Sequence, residues 1–191
     1  MSSNAAAIIY LVRHGETIWN AENRCHGQAD ADFSDRGRAQ IQSLAEELAD
    51  ITFDAAYTSP LARAVKTAEA ILAPHRLRAT PVPALAELSY GTFQGTRFAD
   101  WPDELHQVWR TEPWQITFPE GESLAAVEAR VVPAFERIVA AHPGHTVLVS
   151  AHGHVNRLIL AAHQQRPRSD FWAIEQINGR ATRLECRTHT L

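Results

Sequence analysis

Two histidines stand directly after apolar runs in this chain, and each is followed by a glycine. His14 comes after the run 8–12 and one arginine, and His152 comes after the run 146–151. Runs of this length are too short for a typical helix and are typical of buried strands. Because α/β sheets carry their ligand sites at the carboxyl ends of strands, we expect the two imidazoles to lie side by side.

Donors suited to a phosphate dianion accompany these histidines. Arg13 ends the first run and Arg63 follows another predicted strand, so both can reach one edge of the sheet. The planar fork of arginine bonds two phosphate oxygens at once. Asn20 adds an amide donor, and a helix predicted after Gly153 adds backbone amides and the positive end of its dipole. One arginine alone would indicate only a surface salt bridge, so the prediction depends on the whole set.

A neutral imidazole beside such cations is suited to attack phosphorus. An ordinary histidine pKa near 6.5 leaves most of the imidazole neutral at pH 7, and neighbouring arginines lower that pKa further. We predict His14 as the nucleophile, which would form a phosphohistidine and release an alcohol. Its other ring nitrogen should bond a backbone carbonyl, and Gly15 should leave room for the phosphate. His152 should donate to the phosphoryl oxygens as charge builds on them.

A metal pair formed by His152 and His154 is the alternative interpretation of the second histidine motif. Such a site needs a third ligand at matched spacing. His142 and His145 precede the strand, so they should lie at its other end. A metal site is therefore disfavoured, and His154, expected to point away from His152, receives no role.

Strands and helices alternate along the chain, which predicts a three-layer αβα sandwich with a mainly parallel sheet. The predicted strands are 8–12, 53–58, 79–83, 146–151 and 182–188, of which 79–83 contains two prolines and should be an edge. The predicted helices are 35–49, capped by Ser34, 59–73, 122–141 and 154–164. A single domain should cover 1–191.

The segment 96–121 contains three of the five tryptophans and is broken by prolines. We predict that it forms a small helical cap over the edge of the sheet. Trp101, Trp109, Trp114 and Phe118 would line an apolar pocket mouth or form the core of the cap itself.

Four motifs, in order, resemble those of the histidine phosphatase superfamily, also called the phosphoglycerate-mutase-like family. They are Arg13-His14-Gly15-Glu16-Thr17 with Trp19-Asn20, Thr58-Ser59-Pro60-Leu61-Ala62-Arg63-Ala64, Glu87-Leu88-Ser89-Tyr90-Gly91, and Ser150-Ala151-His152-Gly153. The resemblance spans nearly the whole chain. It implies the fold of that family and supports Arg13, Asn20, Arg63 and His152 as phosphate ligands.

The resemblance is also what separates Glu87 from the other acidic residues. In similar proteins a glutamate at this point protonates the leaving alcohol and later deprotonates water, and one carboxyl group can do both in turn. A nearby bound phosphate should raise the pKa of this carboxyl. His26 and Gly27 follow the first motif, and the resemblance suggests that they contact the far end of the substrate, together with Glu87.

These features predict a metal-independent phosphomonoesterase that hydrolyses small-molecule phosphate esters without a cofactor. Similar mutases are typically longer after the acid, whereas here 96–121 is short and has only Arg97 and Arg110 as cations. Two alternatives remain open, a cofactor-dependent phosphoglycerate mutase-type phosphoryl transferase and a non-catalytic relative that binds phosphate esters. Phosphoserine, α-ribazole phosphate, phosphoglycerates and a broad set of phosphomonoesters are the substrates that the resemblance suggests.

Composition agrees with an ordinary globular protein. The chain has 191 residues, 45% of them hydrophobic, and a net charge of -4, which favours neither nucleic acid nor an anionic membrane as a partner. Cys25 and Cys186 lie far apart and are expected to be reduced thiols. The start of the chain lacks the basic residues of a signal peptide, so we expect a cytoplasmic protein. The sequence does not fix the oligomeric state, and a homodimer is compatible with it.

Overall fold

The computed structural model describes residues 5–187, and its centre is a five-stranded sheet. The strands are β1 (Ala7–Arg13), β2 (Ala55–Thr58), β3 (Thr80–Pro81), β4 (Thr146–Ala151) and β5 (Ala181–Cys186). Their order across the sheet is β3-β2-β4-β1-β5. All neighbouring pairs are parallel except β1 and β5, which are antiparallel. The mainly parallel sheet is therefore confirmed.

Helices cover both faces of this sheet. Within residues 5–187 the α-helices are α1 (Ile18–Ala21), α2 (Asp35–Glu47), α3 (Ala62–Leu72), α4 (Asp103–Thr111), α5 (Leu124–Ala141) and α6 (Gly153–His163). Of these, α2 and α3 pack on one face of the sheet and α5 and α6 on the other. Successive side chains of a strand point to opposite faces. Leu148 accordingly joins the core formed with α2 and α3, while its neighbours Val147 and Val149 join the core formed with α5 and α6. The three-layer αβα architecture follows from this alternation.

Two helices begin at serines whose side chains cap them, whereas α3 begins without a side-chain cap. The Ser34 hydroxyl accepts a hydrogen bond from the Gly37 N–H at 2.9 Å, as expected for the start of α2. Ser123 caps α5 in the same manner, so that helix begins two residues later than predicted. The prediction that Pro60 lies in the first turn of α3 is wrong, because Leu61 is the N-cap and Pro60 precedes it.

Several predicted bounds differ from those of the structure. β3 has only two residues but lies at the edge of the sheet, as its prolines required. β2 begins at Ala55 rather than residue 53, and α6 begins at Gly153, one residue before the predicted start. β5 ends at Cys186, and Thr188, included in the predicted last strand, lies outside the described residues.

The cap of residues 96–121 is helical, as predicted. It consists of α4 and two short 3-10 segments, Phe98–Asp100 and Pro113–Gln115. Trp101, Trp109 and Phe118 are each less than 5% exposed and pack against one another, so they form the core of the cap and not a pocket mouth. Trp114 is half-buried, and its Nε1 donates to the carbonyl of Arg168.

Strand register brings the two histidine motifs together. Arg13 of β1 pairs with Ala151 of β4, so the residues that follow them, His14 and His152, leave the sheet as neighbours. The backbone N–H of His14 continues the ladder by donating to the carbonyl of Ala151 at 3.2 Å. The expected side-by-side placement is confirmed.

Cys25 and Cys186 are buried free thiols. Burial raises the pKa of Cys25 to about 12 and that of Cys186 to about 11. Within residues 5–187, no helix combines the length and the apolarity that crossing a bilayer requires.

Candidate active site

His14 is buried at the end of β1 with one ring nitrogen held and the other turned to an arginine. Its Nδ1 lies 2.8 Å from the carbonyl of Gly15, which identifies Nδ1 as the protonated nitrogen. Nε2 then carries the lone pair and accepts a 3.3 Å hydrogen bond from Nε of Arg63. Burial lowers the pKa of His14 well below its ordinary value, and Arg63, His152 and Arg13 lower it further. A neutral imidazole with a lone pair on Nε2 is the form that nucleophilic attack requires.

Gly15 packs closely against α2. A side-chain carbon at this position would lie 2.6 Å from Ile41 and 2.8 Å from the carbonyl of Gly37. The missing side chain of Gly15 therefore gives room to α2, and room for a phosphate beside the His14 ring stays a prediction.

His152 faces His14 across the edge of the sheet. The centroids of the two rings are 5.2 Å apart. Nε2 of His152 lies 2.7 Å from the hydroxyl of Ser59, whereas its buried Nδ1 has no partner within residues 5–187. If the Ser59 hydroxyl donates, Nδ1 carries the proton and is the donor available to a phosphoryl oxygen. Burial, followed by the charge of Arg63, lowers the pKa of His152 well below its ordinary value, so this ring too is neutral.

Ser59 is a site residue that sequence reasoning missed. Thr58 of β2 pairs with Ser150 of β4, so Ser59 leaves the sheet beside His152. Applying the strand-end rule to β2, as it was applied to β1 and β4, would have found this serine.

Arg63 is the most completely held cation of the site. It lies in the first turn of α3 and is 2% exposed. Its guanidinium donates to the carbonyls of Gly27 at 2.6 Å and Ala29 at 2.9 Å, and it lies 3.2 Å from a carboxylate oxygen of Asp30. These bonds fix Nε toward His14.

Arg13 is half-buried at the end of β1 and is held on one side only. Its Nη1 donates to the carbonyl of Gln176, while its buried Nε has no partner within the described residues. Burial and the neighbouring Arg157 lower the pKa of Arg13 to about 10, which leaves it charged at neutral pH. Arg157 is a cation that sequence reasoning missed. A carbon added at Gly153 would lie 3.4 Å from both Arg13 Cζ and Arg157 Nη1.

The predicted phosphate donor Asn20 is oriented by its neighbours. Its Oδ1 accepts from the Thr17 backbone N–H at 3.1 Å and from Nδ2 of Asn178 at 3.3 Å. Asn178 also donates to the carbonyl of His14 at 3.0 Å, which links Asn20 to the predicted nucleophile. Because Oδ1 is occupied in this way, the amide nitrogen of Asn20 is the atom left for an anion.

The polar groups of His26 and Gly27 are already hydrogen-bonded to other residues of the protein. Both ring nitrogens of His26 are paired, Nε2 with the Thr17 hydroxyl at 2.6 Å and Nδ1 with the carbonyl of Ala29 at 2.9 Å. The carbonyl of Gly27 accepts from Arg63, and its φ of +55° favours glycine. Contact of this pair with a substrate stays a prediction.

Glu87 is 6% exposed, and each of its carboxylate oxygens accepts a backbone N–H. Oε1 accepts from Leu88 at 2.9 Å and Oε2 from His154 at 3.2 Å. Burial would raise the pKa of Glu87. The opposing effects are larger. The His154 imidazole, whose Nδ1 lies 3.2 Å from Oε2, and then His152 and the Leu88 N–H hold the pKa of Glu87 well below its ordinary value. Without a bound phosphate, the pKa of Glu87 is therefore lowered and not raised. Glu87 is an ionised base at neutral pH.

His154, left without a role by the sequence, is thus a direct neighbour of the Glu87 carboxylate. Its ring stacks on Phe171 with centroids 5.9 Å apart and planes 12° apart. Its Nε2 lies 3.4 Å from the hydroxyl of Tyr90. No sequence signal indicated this contact, because Glu87 and His154 are 67 residues apart and meet only through the packing of α6.

Comparison with known proteins shows which family the chain resembles. Residues 9–191 match the model of the Histidine phosphatase superfamily (branch 1). Phosphoserine phosphatase 1 of Hydrogenobacter thermophilus is 33% identical over 169 residues, covering 86% of this chain and 80% of that protein. The 2,3-bisphosphoglycerate-dependent phosphoglycerate mutase of Bartonella henselae is 34% identical over 165 residues, covering 81% and 80% of the two chains.

A solved structure with the same fold is Bacillus stearothermophilus YhfR. It superposes with a TM-score of 0.88 at 29% identity, over 94% of this chain and 91% of that one. The family match, the curated relatives and the common fold agree with one another. The chain belongs to the histidine phosphatase superfamily.

Proposed function

We propose that this protein is a phosphomonoesterase that hydrolyses small-molecule phosphate esters through a phosphohistidine on His14. The observation that carries the proposal is the neutral His14 ring, held through Nδ1 with Nε2 beside Arg63, 5.2 Å from the ring of His152. Arg13, Arg63 and the Asn20 amide supply donors to the phosphoryl oxygens. The Nδ1 of His152 supplies another as charge develops.

The first half-reaction transfers the phosphoryl group to the protein. The lone pair of His14 Nε2 forms a bond to phosphorus, and the bond from phosphorus to the ester oxygen breaks. The departing oxygen takes a proton and leaves as an alcohol. Since Glu87 is ionised in the protein alone, that proton enters with the monoanion of the substrate, whose second pKa is near 6, and passes through the carboxyl of Glu87.

The second half-reaction restores His14. The Glu87 carboxylate takes a proton from water, the resulting hydroxide oxygen bonds to phosphorus, and the phosphorus–nitrogen bond breaks. Inorganic phosphate leaves, and the lone pair returns to Nε2. One carboxyl group therefore serves as acid and then as base.

Hydrolysis of p-nitrophenyl phosphate in the presence of a chelator tests the proposal. We expect wild-type activity that is lost in His14→Ala, together with a labelled phosphoprotein that is stable in base and labile in acid. His145→Asn is the matched control, because it removes an exposed histidine at the opposite end of β4. Full activity in His14→Ala would refute the nucleophile, and loss of wild-type activity in chelator would refute metal independence.

A phosphoglycerate mutase-type transferase is the second candidate, because curated relatives such as the Bartonella enzyme carry that name. The phosphohistidine would then pass its phosphoryl group to a second hydroxyl in place of water. Arg97 and Arg110, the only cations of the cap, are both exposed, which favours the phosphatase. Incubation with a phosphoglycerate and its bisphosphate separates the two, since a mutase yields the isomer and a phosphatase yields inorganic phosphate.

A further inference from the structure

The loop around Glu87 starts with a short 3-10 segment, Pro83–Leu85, and its backbone is held by a side chain from α5. Arg130 donates to the carbonyls of Ala84 and Ala86, both at 2.7 Å, and to the carbonyl of Glu87 at 3.2 Å. One guanidinium thus gathers three carbonyls within four residues. The direction of the Glu87 side chain depends on this backbone, because its Oε1 is bound by the N–H of Leu88.

A second residue closes the other side of the loop. Glu122 binds Arg130 in a two-point ion pair, with both nitrogen–oxygen distances at 2.8 Å. It also binds Ser89 twice, since its Oε2 accepts from the Ser89 N–H at 3.0 Å and its own N–H donates to the Ser89 carbonyl at 2.9 Å. Two-point arginine–carboxylate pairs fix orientation as well as distance. The loop is therefore bracketed at residues 84–87 and at residue 89.

We propose that the Arg130–Glu122 pair is a positioning clamp that sets where the Glu87 carboxyl meets the leaving oxygen of the substrate. The inference rests on the proposed function and extends it to two residues that lie outside the phosphate site. A general acid acts only within hydrogen-bond reach of the atom it protonates. A displacement of 1 Å caused by a distant substitution costs about 100-fold in rate.

Leaving-group dependence separates this role from a merely structural one. An alkoxide needs a proton to depart, whereas p-nitrophenolate leaves well without one, so a displaced acid slows alkyl esters selectively. The quantity to compare is kcat/KM, which covers the steps up to phosphohistidine formation and excludes its hydrolysis. For Arg130→Met we expect a fall of about 100-fold on an alkyl phosphate such as propyl phosphate, and less than about 5-fold on p-nitrophenyl phosphate.

Three controls separate displacement of the acid from a loss of folded protein. The ratio of the two kcat/KM values does not depend on the folded fraction, since both are measured on one sample. Arg130→Lys should change this ratio less than Arg130→Met does, because a cation remains at the position. Arg137→Met is the matched control, as it removes an exposed arginine two turns further along α5 and should leave the ratio unchanged.

A double variant tests whether the clamp acts through the acid. In a Glu87→Gln background, Arg130→Met should cause no further selective loss on the alkyl ester. Equal losses on both esters, or an undiminished selective loss without Glu87, would overturn the clamp while leaving the phosphatase intact. A wild-type protein without activity on either ester would instead refute the proposed function, and the clamp with it.

Discussion

Acid should unfold this protein through imidazoles that are buried in their neutral form. His14, His26 and His152 are each at most 7% exposed. In all three, burial lowers the pKa and Arg63 lowers it further. Below about pH 6.5 the unfolded chain binds a proton at each position and the folded chain does not. The free energy of unfolding therefore falls as the pH falls through 6.5.

His26 allows the size of this effect to be worked out. Its pKa is lowered to about 4, so its contribution is lost progressively between about pH 6.5 and pH 4. The total is about 3 kcal/mol, of which about 2 kcal/mol is lost between pH 7 and pH 5. His14 and His152 act in the same direction, so the whole protein should lose more than this.

Urea unfolding of wild type and His26→Asn at both pH values measures this linkage. The asparagine amide replaces the Nδ1–H that lies 2.9 Å from the carbonyl of Ala29, and it does not titrate. At pH 7, the difference in the free energy of unfolding between the two proteins reports the contacts that the substitution removes. The linkage is measured by how much this difference changes between pH 7 and pH 5. We expect that change to be about 2 kcal/mol in favour of the variant. An equal loss of stability in the two proteins would refute the reasoning.

Three further predictions concern turnover. Glu87→Gln should lower kcat/KM on alkyl phosphates by about 100- to 10,000-fold and on p-nitrophenyl phosphate far less, and uniform losses would contradict the acid role. His154→Phe, which fits the stack on Phe171, removes the imidazole that lowers the pKa of Glu87. The acid limb of its kcat/KM profile should therefore move to higher pH, and an unchanged profile would remove His154 from the site. Arg63→Met should raise KM and lower kcat together, because Arg63 would contact the phosphate in the ground and transition states. A change in KM alone would limit it to binding.

Sequence alone determined the placement of the paired histidines, because that placement depends on local patterns. An apolar run predicts a strand, and the carboxyl ends of neighbouring parallel strands meet at one edge of a sheet. His14 and His152 could therefore be located from runs of six residues or fewer. Glu87 could not, because no element of regular structure carries it, and only the resemblance to a family identified it.

Tertiary structure decided the partners of these residues. Ser59, His154 and Arg130 reach their contacts across 93, 67 and 43 residues of chain, through the packing of separate elements against the sheet. The ionised state of Glu87 has the same origin, since burial alone would raise its pKa and the largest opposing effect comes from His154 of α6. Local periodicity fixes which face of an element is buried. Which polar groups meet there depends on three-dimensional packing, and no short stretch of sequence encodes it.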